Sequence, residues 1–270
     1  MNTLALRTRW LVSDSLALAG RNLEHVRQIP EKLLDVTLQP IMFVLLFAFV
    51  FGGVIDVPGG DYTSYLIGGI LVQSIAFGMM GPGVSIASDL GEGMVDRIRS
   101  LPTSRSAYLL GHFIAELAAA LVAIVVLAVT GFVVGWSIDG TVLEAIGGFA
   151  LLVLFAAAMI WLGTLLGVVA RSPDSVQGVV FMTVFPLTFL SNAFVPADGL
   201  PDGLRQVADW NPISAVVAAV RTLFGNPMAL PADAPWPLTH PVTAAVLWSA
   251  VFLALAVPLA IARFRARTTE

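Results

Sequence analysis

The stretch DLGEGMVDRIRSLPTSRSA, residues 89–107, gathers six charged side chains between two long runs that carry almost none. Both neighbouring runs are apolar and long enough to cross a membrane. Read as a helix, residues 90–100 place Leu90, Met94 and Ile98 on one face at four-residue spacing, and Pro102 ends the pattern. The sequence therefore predicts a short amphipathic helix that joins two membrane-spanning helices.

The composition of the whole chain is that of an integral membrane protein. Of its 270 residues, 57% are hydrophobic and only 12% are charged, whereas soluble domains carry about 25% charged residues. The net charge of −4 gives no basis for binding nucleic acid. The absence of cysteine excludes disulfides and thiol chemistry, and the three histidines show no metal-ligand spacing.

Six segments are long and apolar enough to span a bilayer, which takes about 20 residues of helix. They are residues 36–55, 62–88, 106–136, 145–170, 176–196 and 241–262. Glu116 is the only formally charged side chain within them. Because backbone polar groups in lipid must bond to one another, helices are the expected form. The sequence therefore predicts an all-α integral membrane protein with six transmembrane helices.

The arginine and lysine residues predict the orientation of these spans. If both termini are cytoplasmic, twelve of the 14 basic residues lie on the cytoplasmic side, and only Arg205 and Arg221 lie outside. This distribution follows the positive-inside rule. It predicts a multi-pass protein of the cell membrane and places residues 89–107 in the cytoplasm.

Two segments outside the spans have patterns of their own. Residues 1–35 carry an apolar stripe that predicts a cytoplasmic helix lying on the membrane and ended by Pro30; packing on a partner as a soluble cap is the alternative. The exterior segment 197–240 predicts short interfacial or re-entrant helices, one from Pro201 and one from Asn211 and Pro212. Residues 36–270 then form one six-span domain.

The motifs of catalysis are missing from this sequence. A phosphate cradle G-x-x-x-x-G-K-[ST] needs a lysine after glycine, and the sole lysine, Lys32, follows Glu31. The sequence contains neither a G-x-S-x-G elbow nor an H-E-x-x-H motif. We therefore expect that the chain is not an enzyme and binds no cofactor or metal itself.

Two stretches carry a family resemblance. EGMVDRIRSLPTSRSAYLLG (92–111) resembles the cytoplasmic loop of type-two ATP-binding-cassette permeases, in particular the daunorubicin-resistance-like drug exporters. SNAFVPADGLPDGLRQVADWNPISAVVAAVR (191–221) resembles the P-x-x-x-L-P…N-P…R segment before the last span of that family. With the amphipathic N-terminal helix and six spans, the resemblance covers nearly the whole chain.

The resemblance implies a permease subunit in the bacterial inner membrane. It implies a second copy or a sister permease as partner, and a separate ATPase subunit that binds ATP and magnesium. In this family the loop after the second span is a coupling helix in a groove of the ATPase, and a hydrophobic drug-like or lipid-like substrate is moved outward. Carried over by position, the ATPase contacts are Asp89, Glu92, Gly93, Asp96, Arg97, Arg99, Leu101 and Pro102.

Further candidate residues lie inside the spans. Gln73, Glu116 and Asn192 are candidates for a substrate path, with interhelical hydrogen bonds or packing as the alternative. Gly81, Pro82 and Gly83 are candidates for a hinge in the second span, with close packing of helices as the alternative.

Two other classes of function stay open at this point. A transporter driven by an ion gradient would normally show an internal repeat and more ionisable groups within the spans. A membrane-embedded enzyme acting on lipid-soluble substrates would need at least two juxtaposed reactive groups, and the sequence offers only His112 and Glu116. Co-purification with an ATPase subunit would separate the permease from both.

Overall fold

The computed structural model describes residues 30–51, 61–92, 105–194, 200–230 and 234–267. Within these ranges the chain forms ten helices and no strand. They are α1 (Pro30–Phe51), α2 (Tyr62–Phe77), α3 (Met80–Gly91), α4 (Arg105–Val133), α5 (Val142–Val169), α6 (Pro173–Phe189), α7 (Asp202–Trp210), α8 (Pro212–Leu223), α9 (Trp236–Thr239) and α10 (Pro241–Arg267). The all-helical fold class is thereby confirmed for the part of the chain that the structure describes.

Helices occupy all six segments that the sequence predicts to cross the membrane, with three differences. The second segment is divided into α2 and α3, α6 ends at Phe189 rather than near residue 196, and α1 already begins at Pro30. Among the described residues, four units are long and apolar enough to span by themselves: Tyr62–Gly91, Tyr108–Val133, Val142–Val169 and Pro241–Arg267. The count of six spans stays a prediction, because α6 has only 17 residues and the apolar part of α1 covers Ile41–Val50.

Capping side chains fix where several helices begin. Asn211 accepts a hydrogen bond from the backbone N–H of Ile213 at 2.9 Å, and Pro212 follows it at the first helical position of α8. Ser172 caps α6 in the same way, accepting from the Ser175 N–H at 3.2 Å. These caps satisfy amide groups that a helix start leaves without an intrahelical partner. The helix start predicted at Asn211 is confirmed.

The core of the molecule lies around α2 and α5. Twelve of the 16 residues of α2 are buried, because α1, α4, α5, α6 and α8 all pack against this helix. Helix α5 packs most extensively against α10 and α3. A second, smaller cluster surrounds Ile86, Tyr108, Trp161 and Phe264, where α3, α4, α5 and α10 meet. The two clusters leave little room for movement of α2 or α5 alone.

The outer helices present apolar side chains to their surroundings. In the most apolar window of α4 and of α10, only 22% and 28% of residues are buried, against 56% for α5. Phe49, Val133 and Met182 are each about four-fifths exposed. Soluble monomers rarely expose contiguous apolar surface of this extent. The surface fits contact with lipid or with another membrane-embedded chain.

The helix bundle has two ends, which we name after residues found there. At the Asp89 end lie the last turn of α3, the first turns of α4 and the last turns of α5 and α10, where Arg267 donates to the carbonyls of Val169 and Ala170. At the Arg221 end lie the start of α2 and helices α7, α8 and α9. Residues 1–29, which carry the predicted amphipathic helix, lie outside the described residues. Of the coupling helix predicted over residues 90–100, Leu90 and Gly91 belong to the last turn of α3, and residues 93–100 lie outside the described residues.

Candidate functional site

A cavity of about 760 Å³ opens between α2, α3, α4 and α6, with side chains of α1 and α5 at its borders. Its apolar wall is aromatic. Phe77 lies 5.7 Å from Phe181 between ring centroids, and Phe185 lies 4.5 Å from Phe189. Ala119, Ala120, Ala123 and Ala156 supply the opposite side. Because alanine side chains are short, the helices can stand side by side and still leave a chamber between them.

The polar lining of this cavity is acidic. Asp89 and Glu116 both face it, together with Gln73, Ser85 and other uncharged polar side chains, whereas its described lining contains no arginine or lysine. Gly81 lies beside Glu116: a Cβ atom at position 81 would lie 3.1 Å from the Glu116 Oε2 atom. The glycine therefore leaves the space that the carboxylate occupies. The arrangement can hold a molecule that has an apolar body and a hydrogen-bond-donating or positively charged end.

Asp89 also belongs to a polar group that joins three helices, which we call the Asp89 clasp. The Tyr108 hydroxyl donates to Asp89 Oδ2 at 2.5 Å, and His112 Nε2 lies 3.4 Å from the same oxygen. The Tyr108 ring stacks on Phe264 of α10 at 5.4 Å between centroids. The clasp therefore ties the end of α3 to the start of α4 and to α10. Of these helices, α3 and α4 are the two that flank residues 93–104.

Arg221 is the central group of the opposite end and is 2% exposed. Its Nε donates to the Tyr65 carbonyl at 2.9 Å, and its two terminal nitrogens donate to the carbonyls of Asn192 and Ala193, each at 3.0 Å. The guanidinium also stacks 3.5 Å above the centre of the Tyr65 ring. One side chain thus fastens α8 to α2 and to the turn after α6.

In the sequence Arg221 counted as an exterior charge and as the last residue of the N-P…R resemblance, and its structural role was missed. Its signal was its place within the apolar helix PISAVVAAVRTL. An arginine in such a surrounding must find several acceptors, because an unpaired buried charge is very costly. The sequence did not indicate which carbonyls these would be.

The discontinuity between α2 and α3 lies at Gly78 and Met79, just before the predicted hinge. Pro82 has no N–H with which to bond the carbonyl four residues earlier, which weakens the helix at this point. Helix α5 lies directly against it: a Cβ atom at Gly163 would come within 2.0 Å of the Met79 carbonyl oxygen. Gly83 is packed equally closely, since a Cβ atom there would lie 2.7 Å from Val176 Cγ1. The hinge stays a hypothesis beside this close packing.

The structure distributes the remaining predicted site residues over different places. Gln73 and Glu116 line the large cavity together. Asn192 does not lie there; it lines a separate, smaller cavity at the Arg221 end. Of the predicted ATPase contacts, Asp89 is partly buried in its clasp and Glu92 is exposed at the end of α3. Gly93, Asp96, Arg97, Arg99, Leu101 and Pro102 lie outside the described residues.

Comparison with known proteins finds one family and several relatives. The model of the ABC-2 type transporter family matches residues 15–224. A daunorubicin resistance ABC transporter permease protein, DrrB1 of Streptomyces coeruleorubidus, is 31% identical over 79% of this chain and 75% of its own length. The doxorubicin resistance permease DrrB of Mycobacterium tuberculosis is 25% identical over 83% of this chain and 80% of its own. The probable doxorubicin resistance permease DrrC of that organism is 23% identical over 96% of this chain and 91% of its own length.

Proposed function

The chain belongs to the ABC-2 type transporter family, and from this premise we propose that it is the permease subunit of an exporter powered by a separate ATPase. Its cargo would be a hydrophobic drug-like or lipid-like molecule with a polar or positively charged end. Membership of the family makes the chain a multi-pass membrane permease. The cargo, the source of energy and the orientation are the parts that we propose.

The large cavity is the observation that carries this proposal. Its volume of about 760 Å³ lies in the range of 300–1,000 Å³ that is usual for sites of drug-sized molecules. The wall of phenylalanine rings offers contact to a flat apolar body, and Gln73, Asp89 and Glu116 offer hydrogen-bond acceptors elsewhere in the lining. Relatives of the chain are named for resistance to daunorubicin and doxorubicin, which supports a drug-like cargo.

We further propose that ATP and magnesium are bound by a partner ATPase at the Asp89 end. The sequence has no phosphate cradle of its own. Residues 92–102, which carry the predicted ATPase contacts, follow directly on α3 at this end. Arg171, Arg263 and Arg267 cluster there as well, which supports a cytoplasmic position by the positive-inside rule. Both termini would then be cytoplasmic, with six spans in all.

The exposed apolar helix surfaces support the proposed second permease. They cover parts of α1, α4, α6 and α10. Because these apolar side chains do not pack into the core of their own bundle, another membrane-embedded chain can cover them. Lipid would cover the apolar surface that does not contact a second copy or a sister permease. The cavity would then lie within an assembly of two permeases and two ATPase subunits.

The proposed contact between the ATPase subunit and residues 92–102 can be tested directly by reversing single charges in this segment. We expect Arg97→Glu, and separately Asp96→Arg, to abolish export while the protein still inserts and the isolated ATPase subunit still hydrolyses ATP. A charge reversed at a docking surface places like charges together, which costs several kcal/mol, roughly enough to prevent productive contact. Export of a fluorescent anthracycline from vesicles that contain both subunits measures the effect.

The matched control is Asp139→Arg, a reversal on an exposed side chain at the Arg221 end. It should leave export close to the unaltered level. Normal export by both loop variants would contradict the coupling role. Export by the purified permease without any ATPase subunit would contradict the proposed function itself.

Asp89 belongs to the Asp89 clasp and also lines the large cavity. A movement of residues 93–104 would therefore reach the cavity through the clasp. We expect Tyr108→Phe to uncouple the two: ATP hydrolysis continues, and export per ATP falls several-fold. The change removes one hydrogen bond to a charged group, worth about 1.5–3 kcal/mol, and keeps the stack on Phe264. The ratio of substrate exported to phosphate released measures this.

The control for that variant is Tyr62→Phe. Tyr62 is also buried, but its hydroxyl has no hydrogen-bond partner among the described residues. Its removal should leave the ratio unchanged. Equal ratios in the Tyr108→Phe and Tyr62→Phe proteins would mean that the clasp only packs the bundle and transmits nothing.

A further inference from the structure

A second cavity of about 240 Å³ lies at the Arg221 end. Helices α7, α8 and α9, the first residue of α10 and the turn after α6 surround it, and it shares no lining residue with the large cavity. Its walls are formed mainly by small and apolar side chains, among them Met228, Leu230 and Leu238. A single water molecule needs only about 10–15 Å³ of cavity volume, so this cavity is large enough for a small organic group.

An unsatisfied acceptor lies at this cavity. Asn192 is 6% exposed and lines the wall, yet its side-chain oxygen has no hydrogen-bond partner within the described part of the chain. Its backbone is fully engaged, because the carbonyl accepts from Tyr65 and Arg221 and the N–H donates to Ser214. A buried acceptor without a partner is costly. Protein atoms cover this oxygen in the present conformation, so it gains a partner only if the Asn192 amide turns toward the cavity and meets a ligand with a hydroxyl or N–H group.

The charges around the cavity select among such ligands. Arg221 and Arg205 both line it, and Asp209 is the only acid in its described lining. Asp209 lies 3.9 Å from Arg205, a loose ion pair between residues one turn apart on α7. The surroundings therefore carry an excess of one positive charge. An anionic or neutral ligand fits them better than a cation does.

The neighbouring surface places the cavity at the level of lipid headgroups. Leu204, Val207 and Trp210 of α7 are 43–56% exposed, although the helix is polar on its other side. Trp236, at the start of α9, is 45% exposed. Exposed apolar residues on an amphipathic helix, together with tryptophan, are typical of segments that lie in the membrane interface. A lipid headgroup is thus the molecule that is abundant beside this opening.

We propose that the small cavity binds the headgroup of an anionic, hydroxyl-bearing phospholipid such as phosphatidylglycerol. The Asn192 amide turns toward the cavity so that a headgroup hydroxyl donates to its side-chain oxygen, and the phosphate lies near Arg205. The acyl chains stay outside along the exposed face of α7. Such a lipid would hold α7 and α8 together next to the turn that Arg221 fastens, and it is separate from the cargo in the large cavity.

The experiment is native mass spectrometry of the full-length chain, purified with phosphatidylglycerol and phosphatidylcholine in equal amounts. We expect selective retention of phosphatidylglycerol that falls at least about fivefold in Asn192→Leu and in Arg205→Gln, because each variant removes one polar contact with the headgroup. Arg171→Gln loses the same charge at the Asp89 end and should retain the lipid fully.

Three results would overturn the proposal. The first is equal retention of both lipids by the unaltered chain, which would mean that the cavity does not select phosphatidylglycerol and is filled by water. The second is selective retention that is unchanged in both cavity variants, which would place the lipid elsewhere. The third is equally tight binding of free glycerol 1-phosphate, which would identify a soluble phosphate ester as the ligand. None of these readouts depends on transport, so failure here leaves the proposed function standing.

Discussion

Replacement of Arg221 by methionine should cost the protein at least about 2 kcal/mol of stability and most of its folded yield in the membrane. The substitution keeps a long, unbranched side chain but removes the three N–H donors that Arg221 directs at the carbonyls of Tyr65, Asn192 and Ala193. A buried acceptor left without its partner costs about 1–3 kcal/mol. The Tyr65 hydroxyl still donates to the Asn192 carbonyl, and the Tyr65 carbonyl keeps its partner within α2, so the Ala193 carbonyl is the acceptor that loses most. The loss of the stacked contact with the Tyr65 ring adds to this.

Two further variants identify the cause of that loss. Arg221→Lys keeps the charge, yet one ammonium group lacks the planar fork that reaches three carbonyls, so we expect an intermediate result. Arg263→Met removes an exposed arginine from α10 and should have no effect. The fraction that remains monodisperse after heating in detergent measures stability. An unchanged melting temperature in Arg221→Met would mean that packing alone holds α8 in place.

The contrast between local and distant contacts explains what the sequence could predict. The helix start at Asn211 depends on neighbours two residues apart, and the apolar segments depend on composition over about 20 residues. The sequence shows both kinds of pattern directly. The bond between Arg221 and Tyr65 joins residues 156 positions apart. Nothing in either segment identifies the other, so this contact could be found only in three dimensions.

The same reasoning applies to the candidate site. His112 and Glu116 are four residues apart, a spacing that predicts one shared helix face but leaves open which neighbouring helix they meet. In the structure His112 approaches Asp89 of α3, and Glu116 faces the large cavity beside Gly81. Polarity singled out Asn192 as a candidate for the substrate path, but the turn after α6 carries it to the small cavity at the Arg221 end. Residue type singled out these groups as candidates, and helix packing decides where each one lies.

The contact between Gly163 and the break in the second span leads to the other prediction with a large effect. We expect Gly163→Ala to lower both stability and export, because its Cβ atom would lie 2.0 Å from the Met79 carbonyl oxygen and 3.1 Å from Pro82 Cγ. Neither group is the far end of a flexible side chain, so α5 must move away from the discontinuity. Overpacking of this kind typically costs about 1–3 kcal/mol and occasionally more. Both the melting temperature and the export rate should be measured on the assembled transporter.

Gly178→Ala is the matched control, since a Cβ atom at that position of α6 would meet nothing within 4 Å. In a helix, alanine is more favourable than glycine by about 1 kcal/mol, so this variant should be neutral or slightly more stable. Gly81→Ala then separates packing from hinge motion, because the nearest atoms to its Cβ would be those of the Glu116 carboxylate, the end of a flexible side chain. If α5 positions the break by packing, Gly163→Ala lowers melting temperature and export together. Loss of export in Gly81→Ala at an unchanged melting temperature would instead favour a hinge at residues 81–83.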